Sequence, residues 1–209
     1  MIEYPALTSE NLSSTAHLFA NRYDMMTWIS SRFPGDRIAE VGVAFGDFSE
    51  FLIELFAPNS FVAIDTFVIH TLDDCMGIPV GDRLKGLTHE DYYRQRIIAG
   101  PHTVEVVNAL SHEGLARFQD DFFDLIYLDA GHTYEDIARD IAVAVKKLHR
   151  YGILVCNDYT CFDQRDGVAG GPYGVVPAVN QLLAEGGFEV MGFALEKLMF
   201  CDIALRRKC

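Results

Sequence analysis

Hydrophobic residues along this chain alternate between two spacings. Short apolar runs rich in β-branched or aromatic residues predict buried strands, and the segments between them carry apolar residues at steps of three and four, which is typical of helices packed on a sheet. The predicted strands cover residues 37–43, 60–64, 103–107, 123–128 and 152–156, and the predicted helices cover residues 48–56, 134–148 and 175–184. This alternation predicts parallel strands joined by helical crossovers.

The start and the end of the chain depart from that alternation. Near the start, an apolar stripe predicts a helix over residues 14–33 that ends before Pro34 and Gly35, so that residues 1–34 form a helical cap. The stripe consists of Ala16, Phe19, Tyr23, Met26 and Phe33. Near the end, residues 188–194 and 198–205 are predicted as two strands joined by a tight turn, which requires an antiparallel pair.

Together these elements predict a fold class. We expect an α/β protein with a doubly wound, mostly parallel, Rossmann-like sheet of about seven strands, an N-terminal helix and a C-terminal antiparallel hairpin. We expect residues 1–209 to form a single domain. Residues 67–102 are too long and too rich in Gly, Pro and Asp for a simple connection, and we interpret them as an insertion or lid near the site.

Composition and charge narrow the classes of partner. The 209 residues hold 17 Lys and Arg against 30 Asp and Glu, a formal net charge of −13, and half of them are hydrophobic. This acidity would repel a phosphate backbone, so we expect no nucleic-acid partner. No apolar run is long enough to span a membrane, and we expect a cytoplasmic protein. The five cysteines contain no C-x-x-C pair, which argues against a thiolate zinc site.

A glycine-containing turn follows the first strand of the predicted β-α-β unit. It extends from Glu40 through Gly42 and Gly46 to Asp47. A dinucleotide fingerprint that begins at Gly42 would need glycine at Ala44 and Asp47, so a diphosphate would meet a methyl group and a carboxylate. A cationic ligand without phosphates, such as S-adenosylmethionine, suits this turn better.

Asp65 supports the interpretation of the turn as a cofactor site. It ends the second strand at a spacing from Gly42 at which an acidic side chain reaches the hydroxyls of a ribose. The alternative is structural, because the two glycines can serve only the turn and Asp65 can cap the strand. The ordered combination of strand, turn, helix and Asp65 favours the cofactor.

These segments resemble class I S-adenosylmethionine-dependent methyltransferases. The resemblance rests on E-V-G-V-A-F-G, A-I-D-T-F, Y-L-D-A-G-H-T-Y-E, L-V-C-N-D-Y and M-F-C-D-I-A-L-R-R, and it covers residues 36–208. Within that class, D-A-G-H-T-Y-E followed by a helix and N-D-Y is similar to the small-molecule methyltransferases related to the macrocin O-methyltransferase type. The resemblance implies that the methionine part, the ribose and the adenine are held in turn by Glu40, Gly42, Val43 and Gly46, by Asp65 and Thr66, and by Asn108, Ala109 and Leu110, with Asp129 beside them.

A second polar group follows two later strands. Asp129 and His132 come after residues 123–128, and Asn157 and Asp158 come after residues 152–156. The carboxyl ends of adjacent parallel strands meet at one edge, so we predict a site there that holds Mg²⁺ through Asp129, Asn157 and Asp158. His132, with Asp129, is the predicted catalytic residue because imidazole can accept a hydroxyl proton near neutral pH.

Other interpretations of this second group stay open. The carboxylates can cap turns, and His132 can hold the loop. The macrocin-like members have an acidic pair after the fifth strand, and this chain has Asn157 in place of its first acid.

The expected function is methyl transfer from S-adenosylmethionine to a hydroxyl group of a small molecule, such as a sugar or a glycosylated natural product, with Mg²⁺ assistance. The alternatives are a nicotinamide-dependent oxidoreductase on the same architecture and a catalytically silent cofactor-binding module. The expected partners are a small-molecule acceptor and a second copy of the chain in a homodimer.

Overall fold

The computed structural model describes residues 3–33, 35–75, 77–98, 103–161, 173–196 and 200–208. In chain order the strands are β1 (Leu12–Phe19), β2 (Arg37–Val41), β3 (Ser60–Asp65), β4 (Asp74–Cys75), β5 (Ile78–Pro79), β6 (Val104–Asn108), β7 (Phe123–Leu128), β8 (Leu148–Cys156), β9 (Phe188–Ala194) and β10 (Asp202–Arg207). The helices are α1 (Arg22–Ser30), α2 (Asp47–Phe56), α3 (Val80–Leu84), α4 (His89–Ile97), α5 (Ser111–Ala116), α6 (Tyr134–Lys147) and α7 (Val175–Ala184).

Eight of the strands form one sheet in the order β1-β9-β10-β8-β7-β2-β3-β6. Strand β10 runs antiparallel to β8 and β9, and the other neighbouring pairs are parallel. The carboxyl ends of β2, β3, β6, β7 and β8 therefore lie at one edge, where ligands bind in open α/β sheets. The predicted fold class is confirmed, with eight strands in place of about seven.

The C-terminal pair differs from the prediction in detail. Strands β9 and β10 are antiparallel, as expected, and the described second strand begins at Asp202. The prediction began the second strand at residue 198, and residues 197–199 lie outside the described part of the chain.

The predicted helix over residues 14–33 is wrong in its first half. Leu12–Phe19 is an edge strand parallel to β9, and helix α1 begins only at Arg22. The strand is exposed at most positions, so its sequence lacks the alternation of a half-buried strand. Its partner β9 lies far away in the sequence, and this pairing outweighs the local helical stripe. The true start of the helix is marked by Asn21, whose side chain accepts a hydrogen bond from Asp24 N.

Two hydrophobic clusters pack against the two faces of the sheet. Helices α5, α6 and α7 cover one face through residues such as Leu115, Ile141 and Val179. Helices α1, α2 and α4 cover the other through residues such as Ile29 and Leu52. Strands buried on both faces explain the nearly continuous apolar runs of the sequence.

Residues 67–98, with residue 76 outside the described part, contain several short elements between β3 and β6. They hold a 3-10 turn at Ile69–Thr71, the β4-β5 pair and helices α3 and α4. Helix α4 is anchored by Arg96, which forms ion pairs with Asp47 and Glu50 of α2. The segment is therefore structured and tied to α2, and its role as a lid stays a prediction. Within the described residues, the length and hydropathy of every helix fall short of what a membrane crossing requires.

Candidate functional site

A cavity of about 830 Å³ opens at the carboxyl edge of the parallel strands. The predicted site residues that line it are Gly42, Asp65, Thr66, Ala109, Leu110, Asp129, His132, Asn157 and Asp158. Among the residues that the structure describes, the lining does not include four other predicted site residues, namely Glu40, Val43, Gly46 and Asn108. The structure thus gathers both predicted groups, the glycine turn and the acidic group, around one cavity.

The glycine turn needs glycine at position 42 for two reasons. Gly42 has φ +85°, a conformation that L side chains rarely adopt. A Cβ atom there would lie 1.9 Å from the carbonyl oxygen of Asp129. The backbone of this turn therefore packs directly against the end of β7, and it brings the two predicted groups together.

Asp65 is oriented by the backbone around it. Its Oδ2 accepts a hydrogen bond of 2.9 Å from Val43 N, and its Oδ1 accepts one of 2.7 Å from Phe67 N. These two bonds connect β3 to the glycine turn and fix the carboxylate at the cavity wall. Val43 thus contributes through its backbone, because its side chain is buried in the core.

Glu40 is directed away from the cavity, into the protein. Its carboxylate accepts a hydrogen bond from the Ser49 hydroxyl of α2, and Ser49 Oγ accepts one of 2.9 Å from the Tyr93 hydroxyl. Burial raises the pKa of Glu40 to about 8, although the Ser49 hydrogen bond acts in the opposite direction. Glu40 therefore lies beneath the turn, and this chain of hydrogen bonds connects α2 and α4 to β2.

Gly46 and Asn108 also have structural contacts. Gly46 caps α2 with φ +83°, and a Cβ there would press on the side chains of Tyr93 and Ile97. The Asn108 amide donates a hydrogen bond of 2.8 Å to Glu90 of α4. The residues after β6 that line the cavity are Ala109 and Leu110.

Asp129, His132 and Asp158 converge in the lining of the same cavity. His132 Nε2 lies 3.7 Å from Asp129 Oδ1 and 3.3 Å from Asp158 Oδ2. Each of the three residues offers one ligand atom such that all the atoms lie within 4.8 Å of one another. The His132 ring stacks on Tyr173, with 4.8 Å between the ring centroids. This arrangement can stabilise a protonated imidazole or hold a cation.

Asn157 takes part in a buried network behind that cluster. Its amide nitrogen donates a hydrogen bond of 2.7 Å to Asp202 Oδ1, and Asp202 Oδ2 accepts one of 2.6 Å from the Tyr127 hydroxyl. Burial raises the pKa of Asp202 to about 7, against the lowering effect of these hydrogen bonds. The Asn157 nitrogen is thus engaged, and its oxygen is the atom left to serve as a predicted metal ligand.

Several charged residues of the site were not predicted from the sequence, among them Arg22, Asp140 and Asp202. Arg22, at the start of α1, and Asp140, on α6, both line the cavity, and Asp202 supports its floor from β10. Burial raises the pKa of Asp140 to about 6. Arg22 lies outside the motifs that carry the family resemblance. Asp202 lies within the closing motif M-F-C-D-I-A-L-R-R, where a charged residue in an apolar run was the signal that could have found it.

Comparisons with known proteins identify the family and the fold of the chain. The family described as "Methyltransferase domain" matches residues 39–159, more than half of the chain. A search of curated protein sequences finds no match.

Solved methyltransferase structures share the fold. The O-methyltransferase from Bacillus cereus, in complex with SAH, is 15% identical with a TM-score of 0.60, and covers 97% of this chain and 84% of its own. An rRNA methylase from Streptococcus thermophilus is 13% identical with a TM-score of 0.58, covering 88% and 95%. The N-methyltransferase NodS from Bradyrhizobium japonicum is 19% identical with a TM-score of 0.55, covering 90% and 95%. The chain belongs to the methyltransferase domain family and is a class I S-adenosylmethionine-dependent methyltransferase.

Proposed function

We propose that this protein transfers a methyl group from S-adenosylmethionine to a hydroxyl group of a small molecule. The observation that carries the proposal is the convergence of Asp129, His132 and Asp158 beside the glycine turn, within one cavity. A hydroxyl is a poor nucleophile while it holds its proton, and this cluster offers a proton acceptor flanked by two carboxylates.

The cavity wall near Gly42 fits the cofactor. S-adenosylmethionine supplies a sulfonium-activated methyl group, and its cationic centres suit a wall that holds Asp65 and Asp129. Gly42 lets the backbone of the turn stay close to that wall, and the two backbone hydrogen bonds orient Asp65. We assign cofactor binding to Gly42, Asp65, Thr66, Ala109, Leu110 and Asp129, with Glu40, Val43, Gly46 and Asn108 supporting the turn and the walls.

His132 is proposed as the general base. Its Nε2 faces both Asp158 and Asp129, and these carboxylates favour the imidazolium that forms when it accepts the hydroxyl proton. Stacking on Tyr173 holds the plane of the ring, so the nitrogen stays directed at the carboxylates. Proton removal and positioning together account for the chemistry that the chain itself supplies.

A divalent cation fits the same cluster. Asp129 and Asp158 offer carboxylate oxygens, and Asn157 offers its amide oxygen, which is the ligand chemistry of Mg²⁺. His132 lies within reach of the same point, and an imidazole ligand would shift the preference toward Mn²⁺ or another transition ion. A bound cation would lower the pKa of an acceptor hydroxyl.

The test incubates the protein with S-adenosylmethionine and a panel of phenols, catechols and glycosides, with Mg²⁺, with Mn²⁺ or with a chelator. It measures the S-adenosylhomocysteine formed from the methyl donor. We expect turnover on at least one hydroxyl acceptor and a loss of at least tenfold in the chelator. Turnover that a chelator leaves unchanged would rule out the cation and keep the base. Turnover on amines alone would overturn the proposal.

A nucleic-acid acceptor is the alternative to consider, because one structural neighbour is an rRNA methylase. We propose a small-molecule acceptor instead. The net charge of −13 disfavours a polyanionic substrate. Methylation of a bulk RNA substrate under the same conditions would contradict this part of the proposal. The homodimer and the cytoplasmic location stay predictions.

A further inference from the structure

Arg22 brings a positive charge to the cavity from outside the sheet. It is the first residue of α1, and its guanidinium lies 4.4 Å from the ring centroid of Phe48, at the start of α2. Its Nη1 lies 3.3 Å from the Tyr127 hydroxyl and 3.9 Å from Asp129 Oδ2. Because the Asp129 backbone also packs against Gly42, Arg22 stands at the end of the cavity where the glycine turn lies.

The hydrogen-bonding capacity of Arg22 is not used up by these contacts. The bond to Tyr127 is long, and the distance to Asp129 exceeds that of a hydrogen bond. Nε is buried and has no hydrogen-bond partner among the described residues. A guanidinium presents its donors as a planar fork that matches a carboxylate. The side chain keeps about a quarter of its surface exposed, at the cavity.

The charges around the cavity explain why a cation is useful at this point. Among the described lining residues, Arg22 and Arg139 carry fixed positive charges, and several carboxylates, including Asp65, Asp129 and Asp158, carry negative charge or can do so. An α-amino acid group presents one cationic and one anionic end. The carboxylates suit the cationic end, and the anionic end needs a positively charged partner near Gly42.

We propose that Arg22 binds the α-carboxylate of the methionine part of S-adenosylmethionine. The neighbouring Asp129 carboxylate then faces the α-ammonium group, so Arg22 and Asp129 form a pair of charges complementary to the amino acid group. The inference rests on the proposed cofactor site at Gly42. It assigns a binding role to α1, an element outside the matched family region of residues 39–159.

The test compares three thioether ligands by calorimetry, on the wild type and on Arg22→Met. S-adenosylhomocysteine carries the whole amino acid group, its decarboxylated analogue lacks only the carboxylate, and methylthioadenosine lacks the group altogether. We expect Arg22→Met to weaken the binding of S-adenosylhomocysteine by about 10- to 100-fold. The affinities of the other two ligands should change by less than about threefold. Equal weakening of all three ligands, or none, would overturn the proposal.

Two further variants serve as controls. Arg32→Met removes the same charge from an arginine that stacks on Trp28, and it should leave all three affinities unchanged. Arg22→Lys keeps the charge without the fork, and an intermediate loss for S-adenosylhomocysteine alone supports the proposal. This variant, with thermal unfolding of each protein, provides the answer if Arg22→Met does not fold.

The results separate this inference from the proposed function. If the wild type binds none of the three ligands, both the proposed cofactor site and the proposed role of Arg22 are wrong. A wild type that binds S-adenosylhomocysteine through Arg22 but methylates no hydroxyl would contradict the proposed acceptor and leave Arg22 assigned.

Discussion

The turn after β2 and the turn after β7 meet at one cavity, yet their polar groups are used differently. Around the first, the Glu40 carboxylate accepts a hydrogen bond from the Ser49 hydroxyl, and both oxygens of Asp65, at the end of β3, accept backbone hydrogen bonds. In the second, His132 stands 3.3 Å and 3.7 Å from two carboxylates, and Asp129 stands 3.9 Å from Arg22.

This difference indicates a division of labour. Polar side chains that already have hydrogen-bond partners inside the protein fix the conformation of the backbone around them. A cofactor-binding turn needs this, because its backbone must be preorganised. Charged side chains that stand farther from one another than a hydrogen bond can still bind a ligand, a proton or a cation. Substitutions in the first turn should therefore change stability and cofactor binding, and substitution of His132 in the second turn should change the chemical step.

The largest expected effect is that of Gly42→Ala. The new methyl group would meet the Asp129 carbonyl and impose a side chain at φ +85°. We expect a loss of about 4 kcal/mol in unfolding free energy and no measurable binding of S-adenosylhomocysteine. Urea denaturation and calorimetry check both.

Gly86→Ala is the matched control for that prediction. Gly86 has φ +82°, but apart from its chain neighbours no described residue has an atom within 4 Å of a Cβ added there. It should cost only about 1 kcal/mol and leave ligand binding intact. Equal costs for the two variants would show that the contact between the two turns is unimportant.

The next effect is expected for His132→Gln. Loss of the proton acceptor should lower kcat by about 10²- to 10³-fold on the identified acceptor, because the hydroxyl proton then has no base. Affinity for S-adenosylhomocysteine should stay within about threefold, since the glycine turn is untouched. Steady-state kinetics and calorimetry measure the two quantities.

His149→Gln removes a histidine near the start of β8, outside the described lining of the cavity, and should leave kcat unchanged. If His132→Gln weakened cofactor binding as much as it slowed turnover, the two turns would not be separable in function.

The effect expected for Glu40→Gln is absent at acidic pH and appears only as the pH rises. A carboxyl whose pKa is raised by folding stabilises the protein below its unfolded pKa of about 4.5, and this stability is lost as the pH rises toward the folded pKa of about 8. The variant should match the wild type near pH 4.5 and exceed it by about 4 kcal/mol at pH 8.5, because each unit of the pKa shift is worth about 1.4 kcal/mol. Urea denaturation across this range tests the difference.

Glu54→Gln, on the exposed side of the same helix that carries Ser49, provides the comparison. It should shift stability by no more than about 0.5 kcal/mol at either pH. A Glu40→Gln variant that is less stable than the wild type at pH 8.5 would show that Glu40 is held ionised.

The sequence by itself determined the elements whose patterns are local. Strands β2, β3, β7 and β8 each appear as an apolar run because they are buried on both faces. Helix α6 was predicted from its stripe to within one residue. The carboxyl ends of parallel strands share one edge, so the order of elements was enough to place Asp65, Asp129 and Asp158 around one cavity.

Only the tertiary structure decided which side chains face that cavity and which distant segments complete it. Glu40 lies in the fingerprint turn, yet its carboxylate meets Ser49, because the direction of a side chain at a strand end depends on the helix packed above it. Strand β1 forms through pairing with β9, about 180 residues away in the chain. Arg22 and Asp202 reach the site from opposite ends of the sequence, and a local pattern carries no information about contacts of that separation.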